Sequence, residues 1–406
     1  MPEKKKTVGL MTISNVINFG SALQTYATIK TVEKLGCNCV LIDYAYPSSW
    51  HSDNAMGFEN AKKRPVLRSL LKTCLKKLYL LDFVRMIRNL VRPSPGPAGL
   101  NEFRCFLRKL PVTPCVYNRK SILKNPPVFD IYMTGSDQTW NPRYLHTDYS
   151  FLLNFAPENA PRIAYSASFG AKKMLPEYRA DYIRLLKKYD RISVREPSGV
   201  DLVRELTGKT ALHVSDPTLM LDRNEWCCVH QKQLDLPEKF IFCYILTYVF
   251  NPFPQINRLI KHLSEISGLP VVVFRDGLEL VDIKCRELST DIGPEGFIEC
   301  FDRADFVITT SFHGAAFSVN FEKDFFAVLN PNPSIDDRVK SFLQTVRLED
   351  RGLDLTQTDV SAIRREDMKT DHSASVPEIR KMRERAVDFL TEAIDSASKK
   401  MRGEEK

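Results

Sequence analysis

One stretch of this 406-residue chain sets a titratable side chain where it could move a proton: Asp305 to Phe317, DFVITTSFHGAAF. A histidine titrates near neutral pH, so His313 is a candidate general acid. Phe306, Val307 and Ile308 form the continuous apolar run of a parallel strand covered on both faces. Thr309 to Ser311 then turn the chain, and Ala315 to Asn320 predict a helix packed on that strand. Ser311, Phe312, His313 and Gly314 thereby lie at a helix mouth, where unpaired N–H groups and the positive end of the helix dipole favour anions. A phosphate and a proton donor could meet there.

Other candidates sit in loops that follow predicted strands, where open parallel sheets bind ligands. In NVINFGSALQ, Asn18 and Gly20 can turn the chain and let backbone approach a ligand, and Ser21 is a cap or a contact. In GSDQTWNPRY, Ser136, Asp137, Gln138 and Asn141 surround Trp140. That composition suits a polyhydroxyl ligand held by hydrogen bonds and ring contact; the alternative is a turn that braces itself. YSASFG offers Ser166 and Ser168. SVRE offers Arg195, either as a fork for phosphate or carboxylate or as the salt-bridge partner of Glu196. In SDPT, Asp216 is a cleft residue or a plain turn. The other six histidines (His51, His146, His213, His230, His262 and His372) fall in no recognisable site.

The elements that must position these residues alternate. Strands are predicted at Val8 to Ile13, Cys39 to Asp43, Ile131 to Thr134, Ile163 to Ala167, Ile192 to Arg195 and Ala211 to Val214, with helices between several of them. The second half repeats the scheme from Phe240 to Leu329. Such alternation implies doubly wound parallel sheets, here two Rossmann-like domains facing a cleft. The expected division is 1–222, 239–376 and a C-terminal helix and tail at 377–406, with a helical insert at about 58–100. Asp222 to Glu238 reads as a polar linker. The last helix, Pro377 to about Met401, either belongs to the second domain or reaches back across the first.

A hydrophobic content of 43% fits a folded core, and no apolar run approaches the roughly 18–20 residues that span a bilayer. Ten scattered cysteines without zinc spacing predict no metal and a cytoplasmic chain. The net charge of +8 is local: residues 62–92 hold ten Lys or Arg and one Asp, leaving 48 basic against 49 acidic residues elsewhere. This segment is amphipathic. It is either a solvated face or a surface for anionic lipid at the inner membrane face. Nucleic acid is not expected, since no aromatic stacking pattern is interleaved with the charges. No GxGxxG or Walker lysine pattern occurs.

Taken together, NFGSALQTYA, TGSDQTWNP, YSASFG, SVRE, SDPT, GPEGF, TTSFHGAAFS, IDDRVKSFL and LEDR, in that order from about residue 7 to 355, resemble the polysaccharide pyruvyl transferase family. The ordered set is specific where any one motif is not. The resemblance implies a fold similar to the GT-B glycosyltransferase architecture and transfer of pyruvate from phosphoenolpyruvate to two hydroxyls of a sugar, as a cyclic ketal, with release of phosphate. His313 would then be the general acid and Asp137 a candidate base. Arg195, Arg338 and the Ser311 to Gly314 backbone would clamp the donor. The acceptor would be a sugar, lipid-linked or otherwise, in a cell-surface polysaccharide precursor, and no cofactor or metal is implied. Two alternatives stay open: a nucleotide-sugar glycosyltransferase of the same architecture, and a noncatalytic glycan- or membrane-binding protein.

Overall fold

The computed structural model describes residues 5–16, 18–45, 97–230, 234–247, 250–274, 283–288, 292–332 and 338–403. The basic segment 62–92 lies outside them.

Among the described residues, twelve parallel strands form two sheets. The first contains β1 (Thr7–Met11), β2 (Asn38–Leu41), β3 (Ile131–Thr134), β4 (Arg162–Ala167), β5 (Arg191–Val194) and β6 (Leu212–His213), in the order β2-β1-β3-β4-β5-β6. The second contains β7 (Ile241–Tyr244), β8 (Val271–Phe274), β9 (Cys285–Glu287), β10 (Phe306–Thr309), β11 (Asp324–Val328) and β12 (Gly352–Leu353), in the order β12-β11-β10-β7-β8-β9. Helices cover both sheets, so the α/β, doubly wound class predicted from the sequence is the fold observed. The strand interiors are apolar on both faces: all four residues of β3, β7, β8 and β10 are buried.

Each sheet reverses its winding once. The reversal falls between β1 and β3 in the first sheet and between β7 and β10 in the second. Loops that follow strands at such points border a crevice that no connecting helix can fill. The Ser136–Asp137 loop follows β3 and the Ser311–His313 loop follows β10, so both reversals deliver candidate residues.

The two units share a dry aromatic wall. Phe19, at the start of the Phe19–Lys34 helix of the first unit, stacks on Phe297 of the second with centroids 4.7 Å apart and meets Phe274 edge-on at 4.5 Å. The segment read as a polar linker contributes to this wall. Asp222 and Glu225 form a capping box that starts a short helix, Arg223–Cys227, and Trp226 on it is fully buried against Phe317 and Tyr26. The final helix, Ser375–Arg402, reaches back across the first unit. Ala386, Phe389, Leu390, Ala393, Ile394 and Ala397 cover the face of the first sheet made by Val8, Leu10, Ile131, Met133 and Ile163.

Candidate active site

The carboxyl ends of the first sheet's strands meet the loop after β10 at Asp216. This carboxylate is fully buried and multiply bonded. Its Oδ2 accepts from Arg195 Nη1 at 2.9 Å and Ser136 Oγ at 3.3 Å, and its Oδ1 from the Thr218 amide and hydroxyl at 2.9 and 2.8 Å. His313, from the other unit, brings Nε2 to 3.7 Å from the same Oδ2. That is an ion-pair separation, too long for a hydrogen bond, and Nε2 is buried with no hydrogen-bond partner among the described residues. Burial on its own would raise the Asp216 carboxyl. His313, Arg195 and the Thr218 amide outweigh it and hold the group well below the ordinary carboxylate range.

Arg195 is locked. Its side chain is 1% exposed, Nε donates to Glu196 Oε1 at 3.2 Å, and the guanidinium lies 4.8 Å over the Phe312 ring. Burial alone would disfavour its charge; Glu196, Asp216 and Asp137 reverse that and strengthen it. Of its nitrogens, Nη2 is buried without a hydrogen-bond partner among the described residues. The salt-bridge reading of Arg195 is the one observed, with Glu196 and Asp216 as partners. Arg195, Glu196, His213, Asp216, Phe312 and Arg338 help to line a cavity of about 20 Å³, room for one water-sized group. Arg338 begins the Arg338–Thr345 helix, and it sets a second guanidinium at the cavity.

Ser21 and Asp137 come together as well. Ser21 Oγ donates to Asp137 Oδ2 at 2.6 Å, and the Gln138 amide donates to Oδ1 at 2.8 Å. Asp137 has φ 72°, in the left-handed region that a non-glycine residue rarely occupies, and such outliers gather at functional sites. Asn18 caps the Phe19–Lys34 helix by accepting from the Ser21 amide at 3.1 Å. At the mouth of the Phe312–Asn320 helix, the Ser311 amide donates to Thr309 Oγ1 at 3.0 Å. Gly314 is required there, since a Cβ would lie 2.1 Å from that same oxygen.

Several sequence readings are corrected. Trp140 is fully buried against Phe169 and Tyr189, so its ring faces the core and offers no wall to a ligand. Asn141 caps the following helical turn, and its amide donates to Gln138 Oε1 at 2.7 Å; both residues brace their own loop. Ser166 and Ser168 point inward, donating to Ser215 O at 2.9 Å and Glu196 Oε1 at 2.6 Å. Gly20 makes room for a side chain and not for a ligand: a Cβ on it would lie 2.0 Å from His313 Nδ1.

The sequence reading also missed partners. His213, placed there in no site, lines the cavity and bonds the Arg195 carbonyl through Nε2 at 3.0 Å, while burial pushes it toward its neutral form. Glu196 was legible only as a salt-bridge partner, and Thr218 carried no signal beyond following Asp-Pro. Cys227, His230 and Asp302 gather ligand atoms within 4.8 Å of one another, which no sequence spacing announced because Asp302 is remote in the chain. Arg223 already occupies Asp302 Oδ1 at 2.7 Å, and the cluster shares no residue with the His313 site. No described helix is long and apolar enough to cross a membrane.

Comparison with solved structures gives likenesses at low identity. The glycotransferase of kitacinnamycin is 12% identical, with 97% of this chain and 99% of that chain covered and a TM-score of 0.47. The UDP-GlcNAc 2-epimerase from Methanocaldococcus jannaschii is 8% identical, with 93% and 98% covered and a TM-score of 0.47. A putative UDP-N-acetylglucosamine 2-epimerase from Listeria monocytogenes is 9% identical, with 96% and 91% covered and a TM-score of 0.45. No curated protein matches the chain. A model of the polysaccharide pyruvyl transferase family matches residues 18–332, a span that holds Asp137, Arg195, Asp216 and His313 and stops short of Arg338. With well over half of its length matched, the chain belongs to the polysaccharide pyruvyl transferase family.

Proposed function

We propose that this transferase takes pyruvate from phosphoenolpyruvate and joins it to two hydroxyls of one sugar as a cyclic ketal, with His313 as the general acid. The observation that carries the reading is that His313 Nε2 and Arg195 Nη2, both buried and without a hydrogen-bond partner among the described residues, belong to side chains that meet at Asp216. Protonation of the donor's methylene makes C2 electrophilic, and the first sugar hydroxyl adds there. Loss of phosphate and attack by the second hydroxyl close the ring. Two hydroxyl protons leave: one balances the new methyl group and the other departs with phosphate.

The donor carries a phosphate and a carboxylate, and Arg195 Nη2, Arg338 and the Ser311 to Gly314 helix mouth are the anion partners we assign to it. Asp137, with a carboxylate already aligned by Ser21, is the group we assign to accept a hydroxyl proton. Phosphate is a competent leaving group once protonated, so the scheme invokes no cofactor or metal. We assign the acceptor to a cell-surface polysaccharide precursor at the inner membrane face, with the basic segment 62–92 on anionic lipid.

Mass spectrometry of candidate acceptors incubated with the protein and phosphoenolpyruvate tests the reaction. The expected product gains one pyruvate with loss of water, and inorganic phosphate appears in equal amount. Release of a nucleoside diphosphate from a sugar donor, with phosphoenolpyruvate untouched, would replace this reading by glycosyl transfer. Flotation with anionic liposomes tests the membrane assignment: equal binding by wild type and a variant with Lys72, Lys76, Lys77 and Arg85 neutralised would remove it.

A further inference from the structure

Gly20 lies in the first turn of the Phe19–Lys34 helix, and its φ is not in the region reserved for glycine. Glycine is the least favourable ordinary residue inside a helix, so neither backbone geometry nor helix propensity explains it. Space does. A Cβ there would lie 2.0 Å from Nδ1, 2.4 Å from Cγ and 2.5 Å from Cε1 of His313. All three belong to the imidazole ring, which moves as one rigid plate, so relief requires the whole ring or the helix backbone to shift. On the opposite side of the imidazole, Nε2 faces Asp216 Oδ2 at 3.7 Å, and Asp216 is itself fixed by Arg195, Ser136 and Thr218.

We propose that Gly20 and Asp216 are positioning residues: a seat on the first unit that holds the second unit's His313 ring between the helix backbone on its Nδ1 side and the Asp216 carboxylate on its Nε2 side. The inference rests on the assignment of His313 as the acid. The acid is competent only when the two units are docked, since neither holds both the ring and its seat.

Gly20→Ala, assayed with phosphoenolpyruvate and an acceptor, is expected to lower kcat about 100-fold, the scale of a misplacement near 1 Å, with KM for the donor within about twofold. Thermal unfolding of a double-mutant cycle supplies a second readout. Gly20→Ala should lower Tm in the wild type but leave it unchanged or raise it in His313→Ala, where the ring is gone. If Gly20→Ala alone does not fold and the double variant does, the clash is demonstrated and the seat stands. A near wild-type kcat in Gly20→Ala, a rise in KM matching the loss in kcat, or the same Tm change in both backgrounds would each overturn it. An active His313→Ala would instead overturn the assignment of the acid on which the seat depends.

Discussion

The two units contribute unequally to the site. On the first, hydroxyls and charges at the strand ends are spent on one another: Ser136 and Arg195 on Asp216, Ser168 on Glu196, Ser21 on Asp137. On the second, one loop after β10 presents a histidine nitrogen with no hydrogen-bond partner among the described residues and the N-terminus of a helix. The first unit is therefore a frame whose unspent donor is Arg195 Nη2, and the second adds His313 Nε2. A frame of this kind is organised before substrate arrives, which is what electrostatic stabilisation of a charged donor requires.

Substitutions on the two sides should separate these roles. His313→Ala removes the proposed acid and should lower phosphate release about 10²- to 10⁴-fold while far-ultraviolet circular dichroism stays unchanged. Retained turnover would move the chemistry to the frame. Asp216→Ala strikes the frame instead: it leaves the Arg195 guanidinium buried with Glu196 alone, and a loss of about 3–5 kcal/mol is expected in chemical denaturation. A loss near zero would mean that Arg195 can reach water.

Arg195→Ala should weaken donor binding by roughly tenfold, the loss of one charge-assisted hydrogen bond, read as KM for phosphoenolpyruvate. The effect of pH is smaller still. Asp216 is held below its ordinary value of 3.8. Its stabilisation is fully present above that value and is lost as pH falls through the depressed folded value. The Tm difference between wild type and Asp216→Asn should thus be level from neutral pH to about pH 4 and shrink only below it. At the far end of the scale, Gln138→Ala breaks one brace within its own loop and should cost about 1 kcal/mol with acceptor KM unchanged. A raised acceptor KM would return that loop to ligand binding.

The strand β10 and the helix after it were legible because Phe306 to Ile308 are apolar without interruption and Ala315 to Asn320 are mostly apolar behind a turn. The edge strands of the second sheet were not: β9 carries Cys285, Arg286 and Glu287, none fully buried, and β12 is two residues long, so neither shows a periodic signal. The site was legible as a set of loops, since loops after parallel strands must converge. Which side chains face inward was not. A tryptophan amid polar residues reads as a binding wall, yet Trp140 turns to the core, and a glycine reads as room for a ligand where Gly20 makes room for His313. Side-chain direction depends on packing between segments far apart in sequence, as between Gly20 and His313.

The final helix bears on how the chain is made. Synthesis runs from the N-terminal side, and the first unit's strands precede the final helix, yet one face of that sheet is partly covered by residues 386–397. Until those residues emerge, Val8, Leu10, Ile131, Met133 and Ile163 lack part of their apolar cover. Unlike domains that fold one after another during translation, the first unit to be synthesised is among the last to be finished. Premature stop codons beyond β12 would leave all twelve strands encoded and still yield a chain prone to aggregate through its first sheet.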